Sequence, residues 1–96
     1  MNNIERIAQE AIEHSGSPKS AAAYLLLATW NAMRDANEKT EYARRLHERM
    51  KEAKSYVEFY RYKEEAERYM EEAKKQLLLS DDFTEAAMHI MKKHDI

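Results

Sequence analysis

Histidine is the side chain best suited to moving protons or holding metals near neutral pH. This chain carries 4 of them: His14, His47, His89 and His94. Di-iron helical bundles use Glu-x-x-His, which sets both ligands on one helical face. The residues three places before these histidines are Ala11, Arg44, Ala86 and Met91, so that motif is absent. Glu10/His14 and Glu85/His89 are spaced i,i+4 and read as surface hydrogen-bonding pairs. No His-x-x-x-His offers a zinc pair. His14 and His94 stand on inner faces but at helix ends, so no metal, haem or other cofactor is expected.

Carboxylates can do acid/base work when they are paired and desolvated. Glu64, Glu65, Glu67, Glu71 and Glu72 instead alternate with Lys63, Arg68, Lys74 and Lys75, in i,i+4 pairs that mark a solvated helix face. Arg44, Arg45, Arg49, Lys51 and Lys54, followed by aromatic residues, form the one segment suited to gripping phosphates and stacking on bases. Glu41, Glu48, Glu52 and Glu58 dilute its charge, so a nucleic-acid contact ranks second. The 6 tyrosines are many for this length. Tyr56, Phe59, Tyr60 and Tyr62 put large rings on nearly every side of one helical stretch, and Tyr69 extends the set. Such rings suit a protein interface, because they bury much area at low entropic cost. No Ser-His-Asp order or nucleophile elbow is present, and a single glycine cannot build a phosphate cradle. An enzyme is therefore not expected.

The composition agrees with a binding role. The 96 residues make one helical domain, 1–96, with no room for two cores. With 16 basic and 18 acidic residues the formal charge is −2, which gives no general attraction to nucleic acid or anionic membrane. Absence of cysteine removes disulfides and thiolate chemistry and fits a reducing cytoplasm. No signal peptide is visible at Met1–Arg6, and the apolar run Ala21–Trp30 is about half a membrane span.

The elements that must carry these residues are helices. No glycine or proline occurs from Lys19 to Ile96, whereas strand-rich folds need turn residues every 8–12 residues or so. The expectation is an all-α bundle of four to five helices. A first helix spans roughly 3–14, with Ile4, Ile7, Ala8, Ala11 and Ile12 on one face, and ends at Ser15-Gly16. A second starts with Ser17 as N-cap and Pro18 at its first position and runs to about Ala36, where Asp35-Ala36-Asn37 reads as a turn. It is apolar all round from Ala21 to Trp30, the mark of a central helix or an interface. Leu25, Leu26, Trp30 and Met33 supply its bulk. A third stripe, Ala43, Leu46, Met50, Ala53, Val57 and Tyr60, gives way to Phe59, Tyr62, Ala66, Tyr69/Met70, Ala73 and Leu77, about half a turn out of phase. Either the helix breaks at the capping box Ser55-Tyr56-Val57-Glu58, or one helix of roughly 60 Å spans about 38–79. Serine is a weak stop, which favours the long or kinked helix. A last helix is expected to start after Ser80-Asp81-Asp82.

Arg49–Leu78, with Tyr56 followed by Tyr62-Lys63-Glu64-Glu65-Ala66 and then Glu72-Ala73-Lys74, is similar to the C-terminal half of HEPN-type helical domains. The nuclease signature of that family, Arg followed four to six residues later by His, is missing, so the resemblance implies no RNase role. The expected function is a small soluble protein-binding module, an adaptor, regulator or inhibitor of a larger protein. It is expected to self-associate as a homodimer through Tyr56, Phe59, Tyr60, Tyr62 and Tyr69 and part of the second helix. The alternatives are a nucleic-acid-associated protein using Arg44, Arg45, Arg49, Lys51 and Lys54, and a designed or cofactor-binding bundle.

Overall fold

Helix boundaries in this chain fall where a cap and a break coincide. The computed structural model describes residues 1–96 and contains α1 (Asn3–Ser15), α2 (Pro18–Lys51) and α3 (Tyr56–Lys93), with no strand. Asn2 caps α1, its Oδ1 accepting from the Glu5 N–H at 2.8 Å. Gly16 ends it in the left-handed region at φ 84°, donating its N–H to the Ile12 carbonyl. Ser17 then opens α2, its Oγ accepting from the Ser20 N–H at 3.2 Å.

The chain is all-α, but it has three helices where four to five were expected. α2 does not turn at Asp35-Ala36-Asn37. The buried residues Leu25, Ala32, Ala36, Ala43 and Leu46 lie at helical spacing straight through that point, so one contact face continues across it. Asn37 tolerates a turn but does not impose one when the apolar face is in phase on both sides.

The chain breaks at Ser55, so the long helix over 38–79 is not formed. The Glu52 and Ala53 N–H groups bond back three residues, to Arg49 and Met50, which tightens and closes α2. The Ser55 Oγ accepts from the Glu58 N–H at 3.2 Å and starts α3. From there α3 runs through Ser80-Asp81-Asp82 without a new start. Ala73, Ser80 and Ala87 are buried two turns apart on one face. The Ser80 carbonyl accepts from the Thr84 hydroxyl at 2.8 Å, and Leu77-Leu78-Leu79 offers nothing to stop the helix.

The chain forms two compact units. In the first, Met1–Met33 with Leu78–Ile96, the three helices meet mostly on alanines, Ala8 and Ala11, then Ala21 and Ala22, then Ala86 and Ala87, with Leu25 and Ile90 as the large side chains among them. Ile4, Ile7, Ile12, Phe83 and Met91 pack around them. Alanine contacts let helix axes come to the short end of the usual 8–10 Å range. At that separation Thr84 reaches the Thr29 hydroxyl at 3.2 Å. The second unit, Arg34–Leu77, is a helical hairpin closed by the Ser55 turn. Its buried residues are Ala36, Ala43, Leu46 and Ala73. No helix is long and apolar enough to cross a membrane.

Two substitutions test this construction by urea unfolding. Ser55→Ala removes the cap of α3 and should cost about 1 kcal/mol. Ala86→Leu overfills a site with 0% exposure and should cost about 1–3 kcal/mol. A neutral Ala86→Leu would mean the helices do not approach on alanine.

Candidate protein interface

With alanine inside, the large apolar side chains stand outside. In the three-helix unit Leu26, Leu27, Trp30 and Met33 are all exposed, Trp30 at 57%. Of the residues expected to supply the bulk of the second helix, only Leu25 is buried. Leu26, Trp30 and Met33 follow the i, i+4, i+7 spacing of one face, turned well away from Leu25. Leu78, Leu79 and Met88 are exposed on α3 of the same unit.

In the hairpin unit the first turn of α3 carries the exposed rings. Tyr56 is 83% and Val57 81% exposed, and Tyr60 is half exposed. Phe59 is partly buried and meets the Tyr60 ring edge-on at 5.5 Å. With Ala53, the side chains of Tyr56, Phe59 and Tyr60 line a hollow of about 340 Å³ at the turn. Tyr62 and Tyr69 are partly buried. The Tyr69 ring stacks on Tyr42 across the hairpin at 5.6 Å, with the Lys39 ammonium 5.7 Å from its centre. Three of the five interface candidates therefore group at the turn, Tyr62 follows one and a half turns on, and Tyr69 belongs to the contact between α2 and α3.

The hairpin also holds a groove of about 790 Å³, lined from both of its helices. Ala43 and Ala66 form its floor, Met50 and Met70 its apolar walls, and Arg44 and Glu67 stand on its rim. Sequence reasoning placed Ala43, Met50, Ala66 and Met70 on apolar stripes, Arg44 in the basic segment and Glu67 on a solvated face, and did not see the groove. The available signal was the pairing of alanine at the stripe centres with methionine beside it, a pattern that packs backbones closely and leaves the flexible side chains at the edge.

The basic candidates are mostly compensated. Arg44 and Arg45 both lie against Glu41, and Lys51 lies 3.6 Å from Glu48. Arg45 also covers the Tyr42 ring, and with Arg49 lines a small hollow beside Tyr69. Lys54 is exposed at the turn hollow. The hydrogen bond from Arg44 holds the Glu41 carboxyl below its ordinary pKa, and the same hydrogen bond, with the carboxylate's charge, raises Arg44 in turn. The Lys39 ammonium is raised by its hydrogen bond to Glu72, the 3.4 Å ion pair between the two helices of the hairpin. No group of three or more His, Asp or Glu side chains is arranged to hold a metal ion, and no buried side-chain polar atom lacks a hydrogen-bond partner.

No protein-family model, curated protein or solved structure matches this chain.

Lys39 and Glu41 give opposite pH signatures. Lys39 is raised, so its pairing contributes fully below the ordinary lysine pKa and fades as pH rises through the raised value. Glu41 is lowered, so its pairing contributes above the ordinary glutamate range and fades as pH falls through the lowered value. Carbon-detected NMR titration should show Lys39 returning to the ordinary lysine value in Glu72→Gln, and Glu41 returning to its own in Arg44→Gln. Unchanged titrations would mean that these pairs do not persist in solution.

Proposed function

We propose that this chain is a helical protein-binding module, an adaptor, regulator or inhibitor, that acts as a homodimer and performs no catalysis of its own. The observation that carries this reading is the placement of Leu26, Leu27, Trp30, Met33, Tyr56 and Tyr60 on the surface while alanines fill the contacts between helices. Residues of this size and chemistry are what interfaces bury. The exposed area points the same way. The surface is 7152 Å², against roughly 5,800 Å² expected for a folded monomer of this mass. The excess, roughly 1,350 Å² on one chain, is larger than the roughly 800 Å² that a standard interface removes from each partner. Nucleic acid is the weaker reading, because Arg44, Arg45 and Lys51 already have acidic neighbours.

Light scattering coupled to size-exclusion chromatography tests the reading. The expected mass is twice 11.4 kDa, steady over a concentration series. A monomer at every concentration would sink self-association. Phe59→Ala combined with Tyr60→Ala should bring the mass down to that of one chain while helicity stays high. Trp30→Ala should cost less than about 1 kcal/mol in unfolding, the range of surface substitutions. A loss of several kcal/mol would place Trp30 in a core and remove it from the binding surface.

A further inference from the structure

We propose that the groove of the Arg34–Leu77 hairpin is filled by the same hairpin of a second copy of this chain, making a four-helix bundle in which α2 of each copy lies against α3 of the other. This rests on the self-association reading and assigns it a site and a geometry.

The shape of the groove calls for a helix. On α2, Thr40, Ala43, His47 and Met50 line it at the alternating three- and four-residue spacing of a coiled-coil seam. Lys63, Ala66 and Met70 continue that spacing on α3. In the first unit the α2 and α3 segments have α1 packed across them; the Arg34–Leu77 unit has only two helices, closed on Ala36, Ala43, Leu46 and Ala73. Two helices alone do not enclose a core, whereas two such hairpins facing each other do.

The charges on the rim select the occupant. Lys39 pairs with Glu72 and Tyr42 stacks on Tyr69, so each step forward along α2 matches one step back along α3. The same register sets Arg44 level with Glu67 and Glu48 level with Lys63. A two-fold axis parallel to the helices keeps every residue at its own level and lays α2 of each copy beside α3 of the other. Arg44 of one copy then faces Glu67 of the second copy, and Glu48 faces Lys63, each pair occurring twice. Neighbouring helices run antiparallel throughout, as in most four-helix bundles. All four side chains are exposed. Their present neighbours are within one helix: Glu41 for Arg44, Lys51 for Glu48, and Lys63 with Glu67 at 3.1 Å. Exposed pairs of that kind contribute little, so they do not oppose re-pairing across an interface.

Crossed charge reversal decides the matter. In Arg44→Glu, and separately in Glu67→Arg, like charges meet twice in a homodimer. Each variant should raise the dimer dissociation constant by at least about 10-fold. Mixing the two single variants restores an opposite pair at both places, so an equimolar mixture should give a one-to-one heterodimer by native mass spectrometry, with parent-like affinity. Pairing within one chain cannot produce that rescue. A parent that dimerises while both variants stay dimeric, or a mixture that stays monomeric, overturns this site and leaves self-association standing. A parent that is monomeric throughout overturns both. Circular dichroism should match the parent; if a variant loses helicity, Glu48→Lys crossed with Lys63→Glu decides by the same criteria.

Discussion

The contact on which the rest depends is alanine against alanine. The buried residues of α2 and α3 are mostly small in each unit: Ala21, Ala22, Ala32, Ala36 and Ala43 beside Leu25 and Leu46 on one helix, Ala73, Ser80, Ala86 and Ala87 beside Ile90 on the other. Small residues allow backbones to approach closely and gain dispersion where they meet. They bury little apolar area each, because the hydrophobic term scales with area at roughly 25 cal/mol per Å². A chain built this way has a thin core, and it needs its large side chains to find apolar cover elsewhere. In the first unit α1 supplies part of that cover through Ile4, Ile7 and Ile12. The exposed leucines, Trp30 and the methionines remain.

That constraint explains which parts of the fold could be read from the residues. Ser15-Gly16-Ser17-Pro18 was legible because it combines a cap with a left-handed glycine and a proline that stop the preceding helix. Ser55 showed a cap without a stop, and the tightened last turn of α2 that ends the helix there is not written in residue type, so the long helix was favoured. Asp35-Ala36-Asn37 and Ser80-Asp81-Asp82 contain turn and cap residues too, yet the helices pass through them. Capping side chains compete with helix continuation only weakly when burial on both sides stays in phase. Here the in-phase residues are alanines and a serine, to which a reading weighted towards Leu, Trp and Tyr gives little importance. The same weighting put Trp30 and Leu26 inside, where the structure has only Leu25.

The candidate surface was legible to a different degree. Rings on every side of a helix at Tyr56–Tyr62 cannot all be covered by so short a chain, and that argument needs no knowledge of the partner helix. The role of Tyr69 and the existence of the groove depend on register between α2 and α3. Register is set by contacts such as Lys39 with Glu72 and Tyr42 with Tyr69, which lie far apart in sequence. Periodicity along one helix carries no information about them.

Register also links the structural economy of the hairpin to its specificity. An apolar groove with an alanine floor accepts many amphipathic helices, so shape alone discriminates poorly. Discrimination comes from what an unsuitable partner would leave unpaired or opposed on the rim. Arg44 and Glu48 on α2 run in the opposite charge order, level for level, to Glu67 and Lys63 on α3. A helix entering in another register, or with its direction reversed, meets like charges instead. Such charges contribute little to affinity when they are exposed, but they act over the encounter and fix orientation. On the proposed pairing, the alanine floor would set how closely a partner helix approaches, the methionines would adapt to its surface, and Arg44, Glu48, Lys63 and Glu67 would determine which helix fits and which way it points.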